Sequence, residues 1–349
     1  MVRIAKSAGT KRFDIHAVAA LAGVSIATVS RTLNGVTTVD KDMAARVWKA
    51  AKKLKYVPNT QARALVSGRS RILGLIVSEI TNPFFPELIQ EFERKAVERG
   101  YELLIASTSY DRTKMTQCVR RMLERKVEGV AIMTFGIDEG ALEAFAANNV
   151  PSVFVDLAPS YARTSTIEVD YRKGIREAVQ HLAELGHEAI AFISGPARLH
   201  SAGERRRAFQ ESLRAAKLPC RKEWMIRGDH TLSGGRSAIN SILELKDQPT
   251  AIICSNDMTA IGVQHGLFES GRQVPRDFSL VGFDDIYLAA YTIPPLTTIR
   301  MACQDLAHAA VVNLVQHIRP GETAAVKTAS VPTTLVVRQT TGPRPGVRA

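Results

Sequence analysis

From residue 72 onward, short apolar runs alternate with amphipathic stretches of helical length. The apolar runs are ILGLIV (72–77), YELLIAS (101–107), GVAIMTF (129–135), PSVFVD (151–156), AIAFISG (189–195), WMIRGD (224–229), TAIICSND (250–257) and SLVGFDD (279–285). Such runs are typical of buried strands in a parallel sheet, and the stretches 86–99 and 114–125 have helical spacing. Two successive strand–helix series predict two doubly wound lobes. The segments 296–301 and 305–318 are expected to return to the first lobe, and 331–339 to end the fold.

Residues 13–35 carry apolar positions at helical spacing in two short blocks. These positions are Val18, Leu21, Val24, Val29 and Leu33. Gly23 falls between the blocks, where a tight turn between two helices needs a residue that tolerates positive φ. Ser25 follows where a second helix needs an N-cap, because its hydroxyl can accept from free backbone N–H groups. The pattern fits a helix-turn-helix and, about equally well, an ordinary helical hairpin.

The polar face of the second block favours DNA binding. It carries Ser25, Thr28, Ser30 and Arg31. A helix with this surface can lie in the major groove, with hydroxyls for phosphates and an arginine for a guanine edge. Asp40 can then cap a third helix that is expected to run to about Tyr56 and to stop at Pro58. The apolar stripe expected on this helix is Met43, Val47, Ala51 and Leu54.

The positive charge is concentrated in the first fifth of the chain. The 349 residues include 46 Lys and Arg against 34 Asp and Glu, a net charge of +12. Residues 1–71 hold fourteen of the basic residues and three of the acidic ones, and so account for +11 of the total. This asymmetry indicates that the amino-terminal segment binds a polyanion.

Several functional classes lack their usual sequence signals. No apolar run is long enough to span a membrane, and the first dozen residues are basic without the apolar core of a secretory signal. The cysteines are Cys118, Cys220, Cys254 and Cys303. They form no CxxC pair, which favours reduced thiols in a cytoplasmic protein. With no HExxH, HxH, GxGxxG or GxxxxGKS/T motif, neither a metal site nor a cofactor is expected.

The sequence VAALAGVSIATVSRTLNG (residues 18–35) resembles VAxxAGVSxxTVSRxLN, the opening signature of the lactose-repressor (LacI) family of bacterial regulators. The resemblance covers nearly the whole chain, because the later part is similar to the family's effector domain, itself similar to periplasmic sugar-binding proteins. It implies an N-terminal all-α helix-turn-helix DNA-binding domain followed by an α/β two-lobed periplasmic-binding-protein-like effector domain. The expected boundaries are a flexible basic arm at 1–12, the DNA-binding domain at 13–58, a hinge at 59–69, the effector-binding and dimerisation domain at 70–340 and a flexible tail at 341–349. Lobe 1 is expected at about 70–168 and 299–325, and lobe 2 at about 169–298 and 326–340.

The resemblance also implies which residues contact DNA. These are Ser25, Ile26, Ala27, Thr28, Ser30, Arg31, Asn34, Asn59, Ala62 and Leu65. In the family the hinge becomes helical only on operator DNA, where Ala62 and Leu65 would enter the minor groove and wedge a base step apart. By composition alone, residues 59–68 would be a linker. Ile26 and Ala27 are apolar and small, which suits contacts with thymine methyl groups but does not specify an operator.

Polar residues at the ends of predicted strands indicate a small-ligand site in the cleft between the lobes. Together with positions where relatives touch ligand, the expected effector-binding residues are Phe84, Phe85, Asp156, Ser201, Arg205, His230, Asn256 and Asp284. One of the phenylalanines is expected to form a floor for a sugar ring, although aromatic residues there could instead pack between helix and sheet. Surface charge is the alternative for Arg205, which has two arginine neighbours, and Asp257 is expected to cap the next helix. Leu199 stands where purine repressors carry a ligand-contacting arginine, which disfavours a purine.

The function expected from these features is a ligand-responsive, homodimeric transcriptional repressor that is not an enzyme. It would bind a pseudo-palindromic operator in double-stranded DNA and respond to a sugar or sugar derivative in the cleft. Two alternatives explain less of the chain. A nucleotide-dependent enzyme lacks its phosphate-binding loop, and a sugar-uptake protein has no use for the basic first fifth. The Pro- and Gly-rich tail has no apolar heptads, so a dimer is expected rather than a tetramer.

Overall fold

The computed structural model describes residues 14–58, 68–134, 139–156, 163–319 and 329–346. They belong to two units, residues 1–70 and residues 71–349. The predicted basic arm and the predicted DNA contacts Asn59, Ala62 and Leu65 lie outside the described residues.

Three helices form the described part of the first unit: α1 (Ile15–Ala22), α2 (Ile26–Leu33) and α3 (Lys41–Lys53). Each begins with a side-chain cap. Asp14, Ser25 and Asp40 accept from the backbone N–H three residues ahead, at 2.9, 3.1 and 3.0 Å. Between α1 and α2, Gly23 takes a φ of 64°, and the two helices meet at a bend of 104°. Local capping and turn chemistry therefore produce the helix-turn-helix geometry.

The core of this unit uses one narrow stripe from each helix. Val18, Val29 and Val47 are fully buried. Leu21 and Met43, which the spacing places in the core, are instead 45% and 41% exposed. Leu21 lies beside the stripe of Val18 and two alanines through which α1 packs, and Met43 lies in the first turn of α3, before its first buried residue.

The third helix ends earlier than its sequence suggests. Lys55 takes a φ of 47°, and the Tyr56 N–H donates to the Ala51 carbonyl at 2.9 Å. This left-handed residue closes the helix after Lys53, so Pro58 is not what stops it.

The second unit is built on an eleven-stranded sheet. Its strands are β1 (Ile72–Val77), β2 (Glu102–Ser107), β3 (Gly129–Met133), β4 (Ser152–Val155), β5 (Thr164–Asp170), β6 (Ile190–Ser194), β7 (Met225–Arg227), β8 (Ala251–Cys254), β9 (Ser279–Asp284), β10 (Thr297–Met301) and β11 (Ala329–Val336). Its helices are α4 (Phe84–Val97), α5 (Arg112–Glu124), α6 (Glu139–Ala147), α7 (Tyr171–Glu184), α8 (His200–Ala215), α9 (Leu232–Leu243), α10 (Asp257–Glu269) and α11 (Cys303–Ile318). Across the described ranges, no single helix is long and apolar enough to cross a membrane, and only α1 and α2 taken together, despite their bend, meet that test by length and composition.

The strand order is β2-β1-β3-β4-β5-β11-β10-β9-β8-β6-β7. Strands β1 to β5 pair in parallel in one half of the sheet, and β6 to β10 do so in the other. The predicted two doubly wound halves are therefore confirmed. Helix α11 packs against α4 and strands of the first half, as expected for 305–318. The expected return of 296–301 to the first lobe is wrong, because this segment forms β10, which pairs in parallel with β9 in the second half.

Strand β11 belongs to both halves. Its residues 329–332 pair in parallel with β5, and its residues 333–336 pair antiparallel with β10. The change falls at Pro332, which has no N–H to give to a ladder. Next to it, the Thr333 hydroxyl donates to the Asp170 carbonyl at 2.6 Å and accepts from the Gly174 N–H at 3.0 Å.

The described part of the carboxyl-terminal tail is not free. His187 is fully buried, with Nε2 3.0 Å from the Gly342 carbonyl, and the Arg344 N–H donates to the Leu185 carbonyl at 2.9 Å. Thr341 Oγ1 lies 2.9 Å from His181 Nε2. The expectation of a flexible tail from residue 341 is therefore wrong for residues 341–344, whose backbone and hydroxyl groups complete a buried polar cluster.

Candidate functional site

The second helix of the amino-terminal unit presents the predicted recognition surface. Val29 is buried and anchors α2, whereas Ile26 is 42% exposed and Ala27, Arg31 and Asn34 are also exposed. Among the residues that the structure describes, Arg31 forms no salt bridge. Its guanidinium is therefore available for a ligand such as a guanine edge.

The hydroxyls on this helix have structural roles as well. Ser25 Oγ accepts from the Thr28 N–H as the N-cap and lies 2.9 Å from Thr28 Oγ1. The Asn34 side-chain amide donates to Ser30 Oγ at 3.4 Å. These bonds hold the side chains in place on the helix surface.

Seven of the eight predicted effector residues line one cavity between the two halves of the sheet. Its walls are Asn82, Phe84, Phe85, Tyr110, Leu199, Ser201, Arg205, His230, Asn256, Asp284 and Met301. The cavity volume is about 30 Å³. Because ligand pockets usually have volumes of roughly 300–1,000 Å³, the walls must separate before a sugar-sized ligand can enter.

Arg205 is a buried charged residue of this cavity, so the alternative interpretation of Arg205 as a surface charge is wrong. It is 4% exposed. Nη1 donates to the Ser255 carbonyl at 2.5 Å, and Nη2 lies 3.5 Å from Asp284 Oδ1. The guanidinium carbon lies 3.9 Å from the centroid of the Phe283 ring and 5.1 Å from that of Tyr171. Stacking and hydrogen bonding together fix the guanidinium plane.

Asp284 ends β9 and is only weakly paired. Burial raises its pKa to about 7; Arg205 opposes this rise, and Glu87 adds to it. Its φ of 116° is strained for a residue with a side chain. The next residue, Asp285, instead makes two 2.6 Å salt bridges, to Arg300 and Arg338. Near neutral pH, Asp284 can therefore serve as either a hydrogen-bond acceptor or a protonated donor.

His230 and Asn256 add polar groups to the cavity wall on the same half of the sheet as Arg205. His230 Nε2 lies 2.9 Å from Ser255 Oγ, and burial, with the charge of Arg205, lowers the histidine pKa to about 3. The imidazole is therefore neutral at physiological pH. Asn256 donates to the His230 carbonyl at 3.1 Å and accepts from the Thr259 N–H at 2.9 Å.

The hydrogen bond from the Thr259 N–H to the Asn256 side chain makes Asn256 the N-cap of α10. The expectation that Asp257 caps this helix is therefore wrong. Asn256 keeps an extended backbone, and Asp257 is already the first residue of the helix. Asp257 is fully buried and accepts from the Ile286 N–H at 2.9 Å and from the Thr298 hydroxyl at 2.5 Å. It thereby ties β10 to the turn after β9.

Asp156 is the predicted effector residue that does not line the cavity. Its carboxylate accepts from the Tyr171 hydroxyl at 2.5 Å and from the Val169 N–H at 3.1 Å. Because the Tyr171 ring faces Arg205, Asp156 supports the cavity wall from behind.

Both phenylalanines border the cavity, where only one was expected to contact ligand. Phe84 and Phe85 are buried, with ring centroids 5.4 Å apart and planes at 79°. The Asn82 side chain accepts from the N–H of Phe84, the first residue of α4, at 3.1 Å. Leu199 is 1% exposed and also borders the cavity.

Three wall residues other than Leu199 are absent from the sequence-based set. Asn82 and Tyr110 follow β1 and β2, so the strand-end rule that selects Asp284 would have found them. Met301 ends β10 and carries no polar signal that marks it as part of a site.

The comparisons with known proteins agree with this architecture. Residues 14–59 match the family described as bacterial regulatory proteins, lacI family, and residues 179–341 match the periplasmic binding protein-like domain. The HTH-type transcriptional repressor PurR of Aliivibrio fischeri (strain MJ11) is 34% identical over 308 residues, which cover 87% of this chain and 91% of the relative.

Two solved structures are also similar. The lac repressor dimer bound to operator and the anti-inducer ONPF has a TM-score of 0.84 at 29% identity, covering 95% of this chain and all of that one. The complex of the transcriptional regulator CelR with cellobiose has a TM-score of 0.71 at 28% identity, covering 94% of this chain and all of that one.

A capped helix-turn-helix and a two-lobed α/β unit with a buried polar cavity define a DNA-binding transcriptional regulator with a periplasmic-binding-protein-like domain. The chain belongs to the lacI family of bacterial regulatory proteins.

Proposed function

We propose that this regulator is a repressor that binds a pseudo-palindromic operator as a homodimer and that a carbohydrate-like ligand in the cavity controls it. The observation that carries the proposal is the buried guanidinium of Arg205 beside Asp284, with Phe84 and Phe85 on the opposite wall. A fixed arginine, a carboxylate and aromatic rings suit a ligand with several hydroxyl groups and an apolar ring face.

A purine is the second candidate ligand, because PurR is among the similar repressors. Against it stands Leu199, buried at the cavity wall where the family's purine repressors carry an arginine. The similarity to CelR, whose solved structure is a complex with cellobiose, supports a sugar.

An exposed apolar surface on the second unit supports the proposed dimer. Phe268 is 78% exposed, Tyr291 78% and Ile293 93%. These residues lie near one another, because Gln264, one helical turn before Phe268, donates to the carbonyl of Pro294 at 3.0 Å. Apolar side chains clustered on a surface mark sites of association. The similar lac repressor structure is a dimer.

The ligand is tested by thermal unfolding of the full-length protein with a panel of sugars, sugar acids, nucleosides and purine bases. A ligand that binds the folded state stabilises it by about 2.7 kcal/mol at one hundred times its Kd. We expect a sugar or sugar acid to raise the Tm. The effect should be lost in Arg205→Met and kept in Arg206→Met, which removes an exposed arginine one residue away. A response to purines alone would overturn the ligand class.

DNA binding is tested separately, by selecting duplexes from a random pool with the same protein. The proposal requires a consensus with two-fold symmetry, and removal of residues 1–70 must abolish the selection. Enrichment of a single half-site from a monomeric protein would contradict the dimer.

A further inference from the structure

We propose that Tyr110 and Arg198 form a clasp across the mouth of the cavity and that this clasp sets how firmly its two walls close. Tyr110 follows β2 in the first half of the sheet, and Arg198 precedes α8 in the second. The guanidinium carbon lies 5.5 Å from the centroid of the tyrosine ring, within the range of a cation–π contact. A regulatory role for the clasp rests on the effector-controlled function proposed above.

The first half of the sheet holds the tyrosine in a strained position. Ser109 and Tyr110 have φ angles of 48° and 58°, two consecutive residues with side chains in the left-handed region. The Tyr110 N–H donates to Thr108 Oγ1 at 3.3 Å, and its hydroxyl donates to Glu79 Oε1 at 3.4 Å. Thr108 in turn joins a buried hydroxyl cluster with Thr134. Strain of this kind persists only where the surroundings enforce it, and it concentrates at functional sites.

The arginine comes to the ring from an exposed position. Arg198 is solvent-exposed and makes no salt bridge with the described residues, and its guanidinium lies against the Tyr110 ring. The next residue, Leu199, is buried in the cavity wall, and Tyr110 lines the same cavity. The pair therefore spans the cavity from one half of the sheet to the other.

A second contact crosses between the halves at a different place. Glu87 on α4 accepts from the Tyr287 N–H, in the turn after β9, at 2.9 Å. This hydrogen bond joins a backbone amide of the second half to a side-chain carboxylate of the first, so we expect it to break when the walls separate. Exchange of the Tyr287 amide hydrogen with solvent therefore measures opening at a site that neither clasp residue touches.

The test is hydrogen–deuterium exchange of the full-length protein without ligand or DNA, resolved to the Tyr287 amide. Arg198→Met should speed this exchange about two- to fivefold, the factor expected from losing an exposed cation–π contact. Arg198→Lys keeps a cation for the ring and should give a smaller increase. Arg214→Met removes an exposed arginine of α8 that makes no ring contact in the described part of the chain, and should change nothing.

Unchanged exchange at Tyr287 in Arg198→Met would overturn the clasp, even if residues next to position 198 exchanged faster. An equal increase in Arg214→Met would also overturn it, because the effect would then follow net charge. Since no ligand or operator enters the experiment, failure of the clasp is distinct from failure of the proposed function.

Discussion

Replacing Asp284 with asparagine should change the pH dependence of stability in a direction that the structure fixes. The aspartate has an ordinary pKa of 3.8, and burial raises it to about 7 in the folded protein. Between these values the folded state keeps a proton that the unfolded state has released. This group's stabilising contribution is therefore full below pH 3.8 and is lost as pH rises through about 7.

The magnitude follows from the shift. A rise of about three pKa units at 1.36 kcal/mol per unit gives an upper bound of about 4 kcal/mol for the loss between acid and alkaline pH. The amide introduced by Asp284→Asn does not titrate, and its carbonyl oxygen can still accept from Arg205 Nη2, which lies 3.5 Å from the aspartate. The free energy of unfolding of Asp284→Asn, minus that of the wild type, should therefore increase with pH.

Urea unfolding of both proteins at several pH values between acid and mildly alkaline measures this difference. Asp285→Asn is the matched control, because its carboxylate is similarly buried but makes two short salt bridges. We expect that control to lose stability, since two arginines lose their partner. A difference between Asp284→Asn and wild type that stays flat with pH would refute the assignment of Asp284 as a buried, weakly paired acid.

The same variant tests the cavity once the ligand screen has given an effector. The amide replaces an acceptor with a donor, and one mispaired ligand hydroxyl costs roughly 1–3 kcal/mol, or about 5- to 150-fold in effector concentration. Operator binding without effector should stay near wild type. An unshifted titration of operator-bound protein would remove Asp284 from the effector site.

Three further predictions concern DNA binding and assembly. Arg31→Ala should weaken operator binding by about 1–3 kcal/mol and reduce discrimination at one base position in each half-site, whereas Lys52→Ala should weaken binding to all sequences alike. If competition binding shows an unchanged sequence preference in Arg31→Ala, α2 is not the recognition helix. Leu65→Ala should reduce the DNA bend in a gel-phasing assay, because alanine cannot hold a base step open, and an unchanged bend would make the hinge a linker. Light scattering should give a dimer that Ile293→Asp weakens; a stable wild-type tetramer would contradict the assembly.

Local signals predicted the first unit well. The cap at Ser25 and the left-handed turn at Gly23 each depend on residues within one helical turn, so the sequence contains all the information they need. Burial was harder to predict, because Leu21 and Met43 satisfy the helical spacing but face away from the small surface that three short helices share.

The sheet was predicted wherever strands are buried along their whole length. Strand β5, Thr164–Asp170, was missed because it alternates polar and apolar residues and so lacks a continuous apolar run. The expectation that strand ends meet at one cleft succeeded for Asp284, which borders the cavity, because it follows from sheet topology.

The role of each residue in the cavity could not be predicted from its amino-acid type alone. Asp156 and Asp284 both lie at strand ends, yet their partners differ. The Asp156 carboxylate accepts a hydrogen bond from the Tyr171 hydroxyl, whereas the nearest partner of Asp284 is one nitrogen of Arg205, at 3.5 Å. The difference comes from neighbours far away in sequence. The clasp between Tyr110 and Arg198 joins residues 88 positions apart and has no local signature.

The shared strand β11 also affects how this protein is made. Helix α11 comes late in the chain, yet it completes the first half of the sheet, where Val311 and Leu314 are fully buried. The strands β6 to β9 of the second half come from one continuous stretch, 190–284. On the ribosome, these strands can therefore pair while the first half, although translated earlier, still exposes the surface that α11 will cover. Both halves then wait for late segments: α11 covers the first, and β11 with residues 341–344 closes the second beside β10 and His187.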